Sequence, residues 1–156
     1  MIALQDQLAP KSICFGCGPA NPQGLQIKSF PKDDQTLIGE FTPLPHHKAF
    51  RDVINGGILG ALLDCHSNWC AAYALMKKHQ LKTLPCTVTA DFHVSLKRPT
   101  PFGVPLKLFA HAKEISENKV LVHATIEAHG KITATCEGNF VAIKEGHPAF
   151  HRWDGE

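Results

Sequence analysis

Residues 56–77 read Gly-Gly-Ile-Leu-Gly-Ala-Leu-Leu-Asp-Cys-His-Ser-Asn-Trp-Cys-Ala-Ala-Tyr-Ala-Leu-Met-Lys, and this stretch decides the fold. Its apolar residues, from Ile58, Leu59, Ala61, Leu62 and Leu63 through Cys65 and Trp69 to Ala74, Leu75 and Met76, surround nearly the whole helical circumference. A helix that is apolar on most sides is a buried one. Asn55 is a good N-cap before it, and Lys77, Lys78 and His79 suit the negative end of its dipole. No other long helix is expected.

The flanking segments carry the period of two that marks half-buried strands. Leu25–Phe30 and Thr36–Thr42 alternate, with a turn at Asp33-Asp34 between them. After Pro85 the chain is strand-like almost to its end. Strands are expected at 86–97, 104–115, 119–128 and 132–143. Val88, Ala90, Phe92, Val94 and Leu96 would share one face of the first of these, and Val120, Val122, Ala124 and Ile126 one face of the third. Short turns between four long strands predict an antiparallel meander. Two short strands, one buried helix and four long strands make an α+β order, and the simplest packing wraps the sheet around the helix. Residues 1–24, rich in Pro, Gly and Cys, read as an irregular arm. Residues 25–144 form the domain, and 145–156 a polar, loosely ordered tail in which Phe150 and Trp153 are the residues able to dock.

Bulk properties exclude several function classes. The 156 residues suit one domain, and 44% hydrophobic content supports a real core. Charged residues are 19%, low enough to suggest surface buried against another subunit. A formal net charge of +2 without a basic stripe argues against nucleic acid. Nothing approaches the length of a membrane span, and residues 1–10 lack the basic-then-apolar start of a signal peptide. Six cysteines, several inside apolar segments, fit a reducing, cytoplasmic setting.

Asp64 is the residue to explain, because a carboxylate in an apolar helix costs several kcal/mol (about 2–7 for a polar group, more for a charge) unless it is bonded. Either it faces a solvent gap or bonds backbone, or it is a general base or nucleophile in a dry pocket. Asn55-Gly56-Gly57 opens the same helix. Its free N–H groups form a natural oxyanion hole, although such a turn is common without any function. Gly57 and Asp64 are seven residues apart, on one helix face but about 10 Å apart along the axis. One reacting carbon cannot touch both, since reacting atoms approach to about 3–3.5 Å. If both act on one substrate, they come from two copies of the helix in a symmetric dimer. Asn68, one turn beyond Asp64, is placed to orient the carboxylate or a water. His66 lies on another face and reads as structural. Thr89, in the strand after the helix, has a hydroxyl able to hold water.

With these residues in view, the sequence resembles the PaaI-like branch of the hotdog-fold thioesterases over residues 14 to 143. The elements are Cys14-Phe-Gly-Cys17-Gly-Pro-Ala-Asn-Pro-Gln-Gly24-Leu25, Gly56-Gly57-Ile-Leu-Gly-Ala-Leu-Leu-Asp64, and Thr87-Val-Thr89 running to Leu96-Lys-Arg98-Pro99. The resemblance implies a long helix wrapped by a curved antiparallel sheet, a dimer or dimer of dimers, and hydrolysis of acyl-CoA without a cofactor or metal. It casts Gly56 as the oxyanion-hole glycine, Asp64 as the catalytic carboxylate and Thr89 as the residue that places water. The family usually has His where this chain has Asn55, and some members have Asn where this chain has Ala49. His47 lies near enough in sequence to compensate. CoA would lie along the subunit interface, with Lys97 and Arg98 meeting its phosphates.

Other readings stay open. Cys14-Phe-Gly-Cys17 invites a metal, which His46, His47 or Cys86 would have to complete. A thioredoxin-like role is disfavoured because no βαβ unit surrounds the motif. The same fold also serves a non-catalytic acyl or aromatic ligand binder, or an enoyl-CoA hydratase, which would need an Asp/His pair in one pocket.

Overall fold

A computed structural model describes residues 1–155. The central helix, α2 (Gly56–Lys78), is held at its start by Asn55, whose Oδ1 accepts from the N–H groups of Gly57 and Ile58. Buried residues run from Leu59 to Leu75 and include Trp69, Leu62 and Leu63, with almost no exposed surface. A short helix, α1 (Leu4–Leu8), precedes it. The strands are β1 (Phe30–Asp33), β2 (Thr36–Phe41), β3 (Lys48–Phe50), β4 (Val53–Ile54), β5 (Thr87–Leu96), β6 (Leu106–Ile115), β7 (Lys119–Ala128) and β8 (Lys131–Ala142).

Six strands form one antiparallel sheet in the order β1-β2-β6-β7-β8-β5, and β3-β4 form a separate small ribbon. Leu106, Leu108 and Ala110 of β6, Val120 to Ile126 at alternate positions of β7, and Ala134, Cys136 and Phe140 of β8 point at α2 and are buried. The sheet wraps the helix, as the α+β reading expected. No helix among the described residues is long and apolar enough to cross a membrane.

The expected four-strand meander is corrected. β6, β7 and β8 follow one another, but β5 pairs with β8 at the far edge instead of with β6. The Pro99–Pro105 crossing carries the chain to the other side of the sheet, a non-local choice that alternation does not encode. The strand expected at Leu25–Phe30 begins only at Phe30. Leu25 and Ile27 are buried, so the alternation is real, but their N–H groups donate to Phe15 O and Gly16 O of the arm. Gln26 between them has φ of 57°, which ends any regular strand.

The face assignment of β5 is also corrected. Thr89 pairs with Phe140 and Asp91 with Asn139, so Ala90 is an extra residue in a β-bulge. A one-residue slip exchanges the faces of a strand. Before the bulge Thr87 and Thr89 face the helix; after it Phe92, Val94 and Leu96 do, each opposite an inward residue of β8.

Both ends of the chain are tied to the core. Gln5 is fully buried, and its side chain exchanges hydrogen bonds with Ser29, donating from Nε2 to Oγ (2.9 Å) and accepting the Ser29 N–H (2.8 Å). In the tail, Trp153 packs on Trp69 with ring centroids 5.0 Å apart and donates its indole N–H to Pro85 O. The final residue of the expected tail, Glu156, lies outside the described residues.

Candidate active site

Asp64 projects from the first half of α2 and is half-buried. The bulge at Ala90 turns Thr89 toward it, and the Thr89 hydroxyl donates to Asp64 Oδ1 at 2.7 Å. This short, charge-assisted bond belongs to the stronger class. Burial pushes the Asp64 carboxyl above its ordinary pKa. The Thr89 bond and the Arg152 guanidinium oppose that rise, and Cys14 adds to it.

Arg152 is the residue that the sequence reading missed. It comes from the tail, where nothing local marks it. Its guanidinium lies over the Trp153 ring at 4.4 Å, and Nη1 donates to Thr87 O at 2.8 Å. The docking of Trp153 against Trp69 is what brings it there. Asn68 donates to the same Thr87 carbonyl at 3.4 Å and makes no hydrogen bond to Asp64, although both lie on one helix face. Its Oδ1, like Thr87 Oγ1, is buried without a hydrogen-bond partner among the described residues.

The helix start lies two turns away. The Gly57 N–H is taken by Asn55 Oδ1 at 2.8 Å, whereas the Gly56 N–H has no acceptor among the described residues. Asn55 spends its oxygen on the cap, which leaves its Nδ2 as a second free donor beside Gly56. Gly56, Ala49, Leu96, Lys97 and Arg98 line one cleft of about 440 Å³, so the structure groups Arg98 with the helix N-terminus. A larger cleft of about 600 Å³ lies on the opposite face of the sheet, around Phe30, Ile38 and Phe109, away from these groups. His47 is buried, and its Nδ1 accepts the Leu44 N–H at 2.9 Å. Its carbonyl accepts the Asn55 N–H, so it anchors the loop that delivers the cap.

Gly56 and Asp64 of one chain are about 12 Å apart along the helix, from eight residues at 1.5 Å each. The helix flank between them is built of small residues and is only half-covered: a Cβ on Gly60 would meet nothing within 4 Å. Beside it, β5 is a sheet edge with Phe92 42% and Leu96 58% exposed. His66, by contrast, points away from the site. Its Nδ1 accepts from Ser29 Oγ at 2.8 Å and its Nε2–H donates toward Leu37 O at 3.3 Å, so it is a satisfied core histidine. The histidine two residues after Asp64 therefore does not form an Asp/His pair with it.

A sheet of this order wrapped around a single long helix defines a hotdog fold. Solved structures of the same architecture include thioesterase superfamily proteins. One from Shewanella loihica is 28% identical, with 81% of this chain and 98% of that one aligned at a TM-score of 0.65. The PaaI protein of the Escherichia coli phenylacetic acid degradation operon is 16% identical over 77% of this chain and 81% of its own, at a TM-score of 0.66. The Streptococcus mutans protein smu.793, solved bound to acetyl-CoA, is 11% identical over 75% of this chain and 88% of its own, at 0.64. No family model matches the sequence, and no curated protein sequence matches it either.

Proposed function

We propose that this chain is an acyl-CoA thioesterase that works as a homodimer, alone or as a dimer of dimers, with each site shared between two copies of α2. The observation that carries the reading is the half-buried Asp64 carboxylate held by Thr89, on the same helix face as an unpaired Gly56 N–H too distant to serve the same substrate. Two antiparallel copies of the half-covered helix flank would bring Asp64 of one chain beside Gly56 of the other. The exposed β5 edge supports this pairing, because an unpaired edge with apolar residues is a template for a second strand.

In this reaction the thioester carbonyl oxygen accepts from Gly56 N–H, and Asn55 Nδ2 is a second donor within reach. Asp64 Oδ1 is occupied by Thr89, so Oδ2 takes a proton from water as that water attacks the carbonyl carbon. The tetrahedral intermediate collapses, the C–S bond breaks, and the proton passes from Asp64 to the leaving thiolate of CoA. Carboxylic acid and CoA are the products. The CoA phosphates would lie toward Lys97 and Arg98 in the cleft beside Gly56. The acetyl-CoA seen on smu.793 supports a CoA ester as the substrate class. None of the six cysteines is in a disulfide, which fits action in a reducing compartment, the cytoplasm.

The test is release of free thiol from a panel of short, long and aromatic acyl-CoAs. Asp64→Asn should lower kcat about 10²- to 10⁴-fold, the usual contribution of a positioned acid or base, while the fold by circular dichroism is unchanged. Full turnover by that variant would refute the assignment of the carboxylate. Tight binding without turnover by the wild type would make the protein a ligand binder instead.

A further inference from the structure

The Cys14-Phe-Gly-Cys17 arm has no part in the chemistry above, yet it is built against the helix with care. The sulfur atoms of Cys14, Cys17 and Cys65 all lie within 4.8 Å of one another, and Cys14 and Cys65 are 3.8 Å apart. Cys65 supplies the third thiol from α2. Of the residues that the sequence offered to complete the site, His46, His47 and Cys86, none belongs to this cluster, and His47 is engaged with Leu44 and Cys86 with Ala149 O at 3.0 Å.

The knuckle that presents the two arm cysteines depends on its glycines. A Cβ on Gly16 would stand 2.3 Å from Cys65 Sγ, and one on Gly18 would stand 2.4 Å from both Cys14 N and Ser12 O. The loop is pinned by Gly18 N–H to Cys14 O (2.8 Å), Leu25 N–H to Phe15 O (2.8 Å) and Ile27 N–H to Gly16 O (3.0 Å). A second observation points inward. Trp69, one turn after Cys65, is wholly buried, and its indole Nε1 has no hydrogen-bond partner among the described residues. A buried orphan donor is costly.

We infer that Cys14, Cys17 and Cys65 form a three-thiolate site for a single zinc ion, which clips the N-terminal arm to the flank of α2 beside Asp64. Zinc–sulfur bonds of about 2.3 Å at tetrahedral angles place sulfurs about 3.8 Å apart, the separation found between Cys14 and Cys65. Zinc takes four ligands, and the half-buried Cys14 side leaves the fourth to water. Binding expels three thiol protons to solvent. The three other cysteines lie outside this cluster and serve as internal controls.

The experiment uses the full chain, purified under reducing conditions without added chelator, and reads metal instead of turnover. Elemental analysis should find zinc stoichiometric with protein. Replacement by cobalt(II) should give the sulfur-to-cobalt charge-transfer bands and the intense visible bands of a tetrahedral thiolate site. A thiol reagent should find Cys14, Cys17 and Cys65 protected until zinc is stripped. Cys14→Ser, the least buried of the three changes, should weaken zinc binding at least about a hundredfold, beyond the 10- to 100-fold range for loss of a mere supporting group. Cys86→Ser should leave it intact. Zinc at background level after incubation with excess metal would overturn the inference. So would equal binding by the Cys14→Ser and wild-type chains, or a Cys14–Cys65 disulfide in the reduced preparation.

Discussion

Replacing Thr89 by Val tests the site at its best-defined bond. The two side chains have nearly the same shape, so the change removes the hydroxyl that donates to Asp64 Oδ1 at 2.7 Å and little else. A hydrogen bond to a charged acceptor contributes about 1.5–3 kcal/mol, and each 1.36 kcal/mol is a factor of about ten in rate. kcat/KM at neutral pH should therefore fall about tenfold to a hundredfold. The pH profile should move in a defined direction. Burial already raises the Asp64 pKa, and the Thr89 bond is the largest influence opposing it. Without that bond the carboxylate stays protonated to higher pH. Its base form is the active one, so the acid limb of the profile must shift upward. At alkaline pH, where Asp64 is ionised in both proteins, the remaining deficit measures lost orientation alone. The assay is thiol release from the best acyl-CoA, followed across the pH range for wild type, Thr89→Val and Thr89→Ser. Serine keeps the donor and should recover most of the activity. A valine variant within about twofold of wild type, with its acid limb unmoved, would refute the view that this bond sets the state of the carboxylate, because even a weak charged hydrogen bond exceeds that margin.

Two further outcomes are expected. His66 is buried and neutral, and burial pushes its pKa down to about 4. Because this lies below the unfolded value of about 6.5, its stabilisation is complete above that pH and is lost as pH falls toward 4, which amounts to about 2 kcal/mol between pH 7 and pH 5. Denaturant midpoints at fixed protein concentration should show this loss in wild type and not in His66→Gln, whose amide can satisfy both Leu37 O and Ser29; parallel curves would exclude His66 as the source. Phe92→Asp places a charge on the exposed edge strand and should convert the dimer to monomers with loss of thioester hydrolysis, read by sedimentation and thiol release. A wild-type monomer with full turnover would end the shared-site proposal.

The amino-acid pattern alone determined the elements with the strongest periodicity. α2 was legible because apolar residues fill its circumference from Ile58 to Met76 and Asn55 caps it, both local facts. β7 was legible residue for residue, since one buried face and one open face impose a period of two. Asp64 could be singled out because a charge among apolar neighbours needs a reason. Tertiary structure decided the rest. Whether β5 pairs with β6 or β8 depends on a crossing that spans the sheet, and the bulge at Ala90 depends on the register with β8. That bulge turns Thr89 toward Asp64, although strict alternation sets the opposite parity, that of Phe92, toward the helix. The arrival of Arg152 at the Thr87 carbonyl, from where its charge acts on Asp64, follows from one tryptophan docking on another, and the meeting of Cys65 with Cys14 and Cys17 follows from the packing of the arm. Spacing along a chain fixes which residues share a face of one element. It carries no information on which distant element that face will meet, because this is settled by the burial of the whole core at once.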